Sequence, residues 1–237
     1  LMTHLMEGAI NSGTGAGVVT DAGRERAWSA FLRERLLPRF HGFELMPAAY
    51  AVGHVHLALT LAETGHRLSS DDVVGVYLAA ALRPDAAAEA RREGDLGDAL
   101  SQDGLRASAL VRGGDVRVIL TNPPYRRGAR GTTPADALAA YREGLAGERN
   151  VQPLSDDYVR FVRLAQTLLC ERPWGVLGMV GNSTFLSGRL YRSMRGSLRE
   201  SFDRIDVLDL HGSMRVRRRA ASGPVRDENV FDVGQGV

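Results

Sequence analysis

The stretch VRVILTNPPY, residues Val116–Tyr125, decides the fold that this sequence predicts. Its first part, Val116–Thr121, is rich in β-branched and large apolar side chains, which predicts a buried strand. The two prolines that follow lack N–H donors and fix φ, so the strand ends before them and the chain turns rigidly. An amide, Asn122, and an aromatic ring, Tyr125, flank this rigid corner. In an open α/β sheet, the carboxyl end of a strand is where ligands bind.

Methyl transfer to an exocyclic amine is the chemistry that such a corner suits. The side-chain oxygen of Asn122 and the carbonyl oxygen of Pro123 can both accept hydrogen bonds from one –NH2 group, which aligns the nitrogen lone pair with an incoming methyl group. Tyr125 can stack on a planar base that has been taken out of a duplex. The alternative is a Pro123-Pro124 turn after a core strand, with Tyr125 as a packing residue. The apolar strand in front of the corner favours the ligand-binding interpretation.

Periodicity predicts the elements around this corner. Helices are predicted over Ala22–Phe40, which ends near Pro38, and over Asp157–Arg172, where an apolar stripe recurs at helical spacing. Asp85–Ala109 is charged and interrupted by glycine, and it predicts an exposed helix and loop. Ile205–Leu210 predicts a further strand. Asn11–Gly17, NSGTGAG, follows a helix and not a strand, so it is interpreted as a surface turn and not as a cofactor loop.

Several segments in a fixed order resemble one branch of the amino-methyltransferases, in which NPPY is motif IV. They are GFELMPAAYAV (Gly42–Val52), RNVQPLSDDYVRFVRLAQ (Arg149–Gln166), GNSTFLSG (Gly181–Gly188), LDLHGS (Leu208–Ser213) and DENVFDVGQGV (Asp227–Val237). Together with NPPY they resemble the methyltransferase part of the Type ISP single-chain restriction–modification enzymes and of related phage-defence methylases. The resemblance runs nearly from end to end of the sequence.

The resemblance implies an α/β fold with a doubly wound, mostly parallel sheet of the Rossmann-like, S-adenosylmethionine-dependent methyltransferase type. The expected strands lie near Phe43, Val76, Val118, Leu177, Val207 and Val230. Leu1–Ala9 is similar to the helix that follows motif I in this family. The resemblance therefore implies that residues 1–237 are a partial catalytic domain, without the first strand, the Gly-rich motif I upstream or a target-recognition domain downstream.

The function that the resemblance implies is site-specific adenine-N6 methylation of double-stranded DNA with S-adenosyl-L-methionine, in a restriction–modification or phage-defence enzyme. The catalytic residues would be Asn122, Pro123, Pro124 and Tyr125. Tyr125 and Phe231 would enclose the flipped adenine, and Asn182, which is similar to motif VI, would support the shape of the pocket. For Phe231 the alternative is a core side chain at the start of a strand. The reaction needs no metal.

Glu44, at the end of the second strand of that fold, resembles motif II, in which a carboxylate accepts hydrogen bonds from the ribose hydroxyls of the cofactor. The alternative is an acidic residue that stabilises the N-terminus of the predicted helix Pro47–Thr64. The match of GFELMPAAYAV in register favours cofactor binding.

Two basic segments predict contacts with the DNA backbone. Their arginines are Arg126, Arg127 and Arg130 directly after NPPY, and Arg215, Arg217 and Arg218 within Met214–Arg219. A flexible basic loop beside a base pocket suits phosphate contact. The alternative is a pair of solvated loops without a ligand.

Composition limits the remaining possibilities. A chain of 237 residues with net charge +2 can bury a sizeable core and has no general basic field, and all 30 basic residues are arginine. One cysteine, Cys170, excludes an internal disulfide and predicts a cytoplasmic location. No apolar run approaches the length of a membrane span, so no membrane partner is expected.

Two other functions remain open at this point. Motif IV alone does not distinguish a DNA base from an RNA base or a protein glutamine, because the amino groups are chemically alike. The chain could also be an inactive remnant that only binds DNA. Nuclease and helicase domains of the same parent polypeptide are possible partners under the Type ISP resemblance.

Overall fold

The computed structural model describes residues 20–82, 95–123, 135–210, 218–220 and 223–225, with backbone alone for 95–100, 135–136 and the last two ranges. The chain divides into two compact units, Leu1–Arg112 and Gly113–Val237, and each is described by itself. The predicted helix Leu1–Ala9, the turn Asn11–Gly17 and the predicted strand near Val230 lie outside the described residues. None of the helices in the described part of the chain is long and apolar enough to cross a membrane.

The first unit alternates helices with two short strands. Its elements are helix α1 (Asp21–Phe31), which continues as a π-helical turn (Leu32–Leu36) and a 3-10 turn (Leu37–Arg39), strand β1 (His41–Glu44), helix α2 (Pro47–Glu63), strand β2 (Gly75–Leu78) and helix α3 (Asp95–Gly113). The predicted helix before residue 40, the strand ending at Glu44 and the helix beginning at Pro47 are confirmed.

Helix α1 has clear start and stop signals. The hydroxyl oxygen of Thr20 accepts a hydrogen bond from the backbone N–H of Gly23, which caps the first turn, and Pro38 lies in the 3-10 turn that ends the helical segment. The apolar side of the helix forms one core. The fully buried or nearly buried members of that core are Trp28, Leu32, Leu37 and Leu61.

Strands β1 and β2 pair in parallel, with His41 opposite Gly75 and Glu44 opposite Leu78, and α2 connects them. A parallel pair joined through a helix is the unit from which α/β sheets are built. Helix α3 is not fully exposed, contrary to the prediction for Asp85–Ala109. Ala107 is fully buried against Tyr77, because a small side chain lets the helix backbone approach β2 closely.

The second unit is also α/β, with more helical segments. Its elements are β3 (Val118–Thr121), a 3-10 turn (Ala135–Leu138), α4 (Ala139–Arg142), a 3-10 turn (Gln152–Ser155), α5 (Asp157–Cys170), β4 (Val176–Met179), α6 (Thr184–Ser187), a 3-10 turn (Arg189–Tyr191), α7 (Arg192–Ser201), β5 (Arg218–Ala220) and β6 (Gly223–Val225). Strands β3 and β4 pair in parallel, and β5 and β6 form an antiparallel hairpin.

The core of the second unit lies among its helices. The predicted apolar stripe of α5 is confirmed for most of its members, since Tyr158 and Val162 are buried there with Tyr141 and Met194, and Leu169 is buried as well. The prediction that β3 is buried is wrong on one face, because Val118 and Leu120 are 56% and 80% exposed. Successive side chains of a strand point to opposite faces, and the alternate residues Ile119 and Thr121 are half-buried.

Two further sequence predictions are corrected. Residues Ile205–Leu210 form no ladder with another strand in the described part of the chain, and Leu208 is 81% exposed. An apolar alternation is not sufficient for a strand, because a strand also needs a partner for its N–H and C=O groups. The last two residues of the basic loop predicted over Met214–Arg219, Arg218 and Arg219, lie in strand β5 and pair with Val225 and Pro224 of β6.

Candidate functional site

The corner predicted from NPPY lies directly at the carboxyl end of β3. The strand ends at Thr121, the side chain of Asn122 is exposed, and Pro123 is fully buried. Proline has no N–H group to donate to a neighbouring strand, so it fits directly after the last residue of β3. Its buried ring restricts the backbone that carries the Asn122 amide. The structure thus places the Asn122 amide on an anchored corner with its side chain open to a ligand.

Asn182 follows β4, the parallel neighbour of β3. Thr121 is opposite Met179 in the register, and the N–H of Val180 donates to the carbonyl of Thr121 at 3.1 Å. Because the two strands run in parallel, Asn122 and Asn182 follow strand ends at the same edge of the sheet. The structure therefore brings these two predicted site residues to one edge.

The Asn182 side chain is 8% exposed and serves the local backbone. Its Oδ1 accepts hydrogen bonds from the backbone N–H of Thr184, at 2.9 Å, and from the Thr184 hydroxyl. An amide that caps the next turn in this way holds the start of α6 against the end of β4. The position of Asn182 is consistent with a supporting role at the edge, and its oxygen is directed to Thr184.

Glu44 lies in the first unit, at the last position of β1. Its Oε1 accepts hydrogen bonds from the backbone N–H groups of Leu45 and Met46, at 2.7 and 2.8 Å, just before α2 begins. The structure thus supports the alternative that this carboxylate organises the entry to the helix. Only one of its two oxygens is used by these bonds, so the helix-entry role and a ligand role are compatible.

No protein-family model matches this sequence, and no curated protein does. Solved structures match it in fold. LlaBIII, an ATP-dependent Type ISP restriction–modification enzyme bound to DNA, matches 99% of this chain with a TM-score of 0.67 and 21% identity. The chain has the fold of a part of the Type ISP restriction–modification enzymes.

Two other DNA-bound structures agree with this result. A nuclease-deletion mutant of the Type ISP enzyme LlaGI, in complex with a DNA substrate mimic, matches 91% of the chain with a TM-score of 0.61 and 18% identity. The DrdV–DNA complex matches 81% of the chain with a TM-score of 0.61 and 25% identity. The chain spans only 15% to 18% of the length of these proteins. The resemblance to Type ISP enzymes predicted from the motifs is confirmed at the level of the fold.

The remaining predicted site residues lie outside what the structure describes. They are Pro124, Tyr125, Arg126, Arg127, Arg130, Arg215, Arg217 and Phe231, and for Arg218, the first residue of β5, only the backbone is described. Their roles as base-stacking, base-enclosing and phosphate-binding groups stay predictions.

Sequence reasoning missed a carboxylate at the end of β2. The alanines that follow this strand carry no polar group, but Oδ2 of Asp103 on α3 accepts hydrogen bonds from the N–H of Leu78, at 3.2 Å, and the hydroxyl of Tyr50, at 3.4 Å. Burial and the negative charge of Asp103 raise the pKa of Tyr50. The polar group at this strand end comes from a distant helix, so no local sequence pattern could signal it.

Proposed function

We propose that this chain is part of a DNA methyltransferase that transfers a methyl group from S-adenosyl-L-methionine to the N6 amino group of adenine, within a restriction–modification enzyme. The observation that carries the proposal is the placement of Asn122. Its amide is exposed on a corner that the buried Pro123 anchors, at the same sheet edge as Asn182. The Type ISP fold and the DNA in the matching structures support DNA as the partner.

The catalytic contribution of the corner would be positioning. The amide oxygen of Asn122 and the carbonyl oxygen of Pro123 would accept hydrogen bonds from the two hydrogens of the adenine amino group. That arrangement keeps the nitrogen lone pair available and directs it to one side, and orientation of this kind accounts for a large part of many enzymatic accelerations. Pro124 would keep the corner rigid. Tyr125 and Phe231 would hold the flipped base, and Asn182 would support the wall of the pocket.

The described residues fit the cofactor at one position. Glu44 ends β1, and the backbone N–H groups of Leu45 and Met46 engage only its Oε1. Oε2 can therefore accept hydrogen bonds from ribose hydroxyls while Oε1 keeps the helix entry in place. When bound, S-adenosyl-L-methionine would supply an electrophilic methyl group on sulfur. We also propose that Arg126, Arg127, Arg130, Arg215, Arg217 and Arg218 contact DNA phosphates.

The test compares Asn122→Ala with the unaltered protein in the intact natural polypeptide that contains this chain. Unmethylated plasmid DNA is incubated with S-adenosylmethionine labelled in the methyl group, and the nucleosides are analysed by mass spectrometry. We expect N6-methyladenine from the unaltered protein and none from Asn122→Ala, with cofactor affinity retained because the amide would contact the target only. Asn150→Ala is the matched control, since its exposed amide oxygen only accepts from the backbone N–H of Gln152.

Each alternative has its own result in the same assay. Label found only in RNA or in protein glutamine would replace the DNA assignment and keep the methyl-transfer chemistry. DNA binding without any label would favour a binding remnant. Near-normal methylation by Asn122→Ala would remove Asn122 from the mechanism.

A further inference from the structure

The segment Gly181–Gly188, which follows β4 and contains α6, is called here the β4 loop. It begins at the sheet edge where Asn122 lies, and Asn182 caps its helical turn. The side chain of Phe185 packs against the core of the second unit. At the end of the loop, a Cβ added to Gly188 would lie 2.7 Å from the carbonyl oxygen of Thr184, which shows how closely the chain folds back on itself.

One side chain from α7 joins the two ends of the helical turn in this loop. Nη1 of Arg195 donates to the carbonyl oxygen of Phe185 at 2.7 Å and to that of Gly188 at 2.8 Å. Both bonds are charge-assisted and partly buried, which makes them stronger than neutral hydrogen bonds. The Phe185 carbonyl belongs to α6, and the guanidinium supplies a donor of the kind that the last turn of a helix lacks. The Gly188 carbonyl directly after α6 also accepts from the backbone N–H of Tyr191, at 3.1 Å.

We propose that Arg195 is a positioning residue for the target base: it fixes the β4 loop so that Asn182 stays in place beside Asn122 at the sheet edge. This inference rests on the proposed methyltransferase function. Its physical basis is that Nη1 of Arg195 is directed onto two carbonyl oxygens of the loop in a partly buried position. A loop that forms one wall of a base pocket must be held firmly, because small displacements of reacting groups reduce rates strongly.

The neighbouring arginine on α7 provides a matched control. Nη1 of Arg192 donates to Oε1 of Glu148 at 2.8 Å, and Nη2 donates to the carbonyl oxygen of Gly144 at 2.9 Å. Nη1 of Arg192 also donates to the carbonyl oxygen of Arg189, at 3.1 Å, directly after the β4 loop. Arg192 therefore makes a comparable set of bonds from the same helix, and its partners Glu148 and Gly144 lie in a different loop. Arg199, exposed near the end of α7, controls for the loss of one positive charge.

The experiment measures the rate of single-turnover methyl transfer by the intact enzyme. The dissociation constants for DNA and for the cofactor are measured separately. DNA with 2-aminopurine at the target position reports base flipping. Arg195→Gln should slow methyl transfer about tenfold to a hundredfold and alter the 2-aminopurine signal, while both dissociation constants stay unchanged. Arg192→Gln and Arg199→Gln should keep the rate. Arg195→Lys should recover part of it, because an ammonium group can donate to one of the two carbonyls.

A second variant, Gly188→Ala, disturbs the same loop with every charge intact. Its Cβ would meet the carbonyl oxygen of Thr184 and the ring of Tyr191, at 2.7 and 2.8 Å, so the loop must shift. We expect the same slow transfer with unchanged affinities, and this variant decides the matter if Arg195→Gln does not fold.

Three results would overturn the inference. The first is an unchanged methyl-transfer rate and unchanged DNA binding in Arg195→Gln. The second is an equal loss of rate in Arg195→Gln and Arg192→Gln, which would indicate general destabilisation. The third is weaker DNA binding by Arg195→Gln at an unchanged rate, which would indicate a phosphate contact. No methyl transfer by the unaltered enzyme would instead refute the proposed function on which the inference rests.

Discussion

The amide of Gln166 joins three helices of the second unit, and its replacement tests how that unit is held together. The side chain is 2% exposed. Its Oε1 accepts hydrogen bonds from the hydroxyl of Tyr141 on α4, at 2.8 Å, and from Nη1 of Arg163, at 2.9 Å. Its Nε2 donates to the hydroxyl oxygens of Ser197 and Ser201 on α7, at 2.9 and 2.6 Å. All these bonds are lost in Gln166→Leu, which keeps a similar volume.

The magnitude follows from which partners would be left without a hydrogen bond. The Ser201 hydroxyl also donates to the carbonyl of Ser197, and Nε of Arg163 donates to the carbonyl of Ala137. The hydroxyl of Tyr141, whose side chain is fully buried, keeps no described partner. One buried orphan costs about 1–3 kcal/mol, and each remaining bond contributes about 0.5–1.5 kcal/mol net. The newly buried apolar surface of leucine offsets part of that sum, so we expect Gln166→Leu to lower the free energy of unfolding by about 2–4 kcal/mol.

Urea denaturation followed by circular dichroism measures this change. With a slope of about 2 kcal/mol per molar urea, the middle of the usual range for small proteins, the midpoint should fall by about 1–2 M. Gln152→Leu makes the same substitution at an exposed position and should leave the midpoint unchanged. Equal midpoints for the two variants would refute the reasoning, because the network would then contribute nothing beyond the apolar core.

Two further predictions concern the first unit. Thr64→Val should destabilise this unit by about 1–3 kcal/mol, because the buried indole Nε1–H of Trp28 loses the hydroxyl oxygen that accepts its hydrogen bond at 2.9 Å. Thermal unfolding followed by tryptophan fluorescence measures the loss, and an unshifted transition would contradict the prediction. The Arg33 guanidinium holds the pKa of the Asp72 carboxyl well below its usual range, so this pair stabilises the fold fully above about pH 4 and less as the pH falls further. Urea titrations should therefore show a larger difference in unfolding free energy between the wild type and Arg33→Met at pH 5 than at pH 3. The control is Arg35→Met, which replaces an exposed arginine of the same segment. A difference that is the same at both pH values would contradict the prediction.

Much of the secondary structure could be predicted, because local signals define it. The strand ending at Glu44, the helix beginning at Pro47 and the corner at Pro123 each depend on a proline or on a change of periodicity within a few residues. The resemblance predicted a mostly parallel sheet, and strands β3 and β4 do pair in parallel. That Asn122 and Asn182 follow neighbouring strands is a result of the structure.

The features that could not be predicted depend on distant partners. Gln166 interrupts an apolar stripe, and its hydrogen-bond partners on α4 and α7 lie 25 to 35 residues away in the sequence. Arg195 is one of three arginines on α7, and nothing in the local sequence distinguishes it, with its bonds to the loop carbonyls, from the exposed Arg199. The apolar sequence of β3 predicts that Leu120 is buried, but its side chain is exposed. Burial of a strand residue depends on the elements that pack on its face of the sheet, and the local sequence does not specify them.

The two sides of the candidate site are held by different kinds of constraint. On the β3 side, the ring of Pro123 restricts the backbone next to Asn122, and the ring itself is buried. On the β4 side, Asn182 depends on a relay of hydrogen bonds: Gln166 binds the backbone and side chain of α7, and Arg195 of the same helix binds the loop after β4. The proline ring restricts the backbone locally and does not depend on α7 through any described hydrogen bond, whereas the relay responds to any shift of α7. The β4 side is therefore where a change in the core of this unit can reach the candidate site without touching either asparagine.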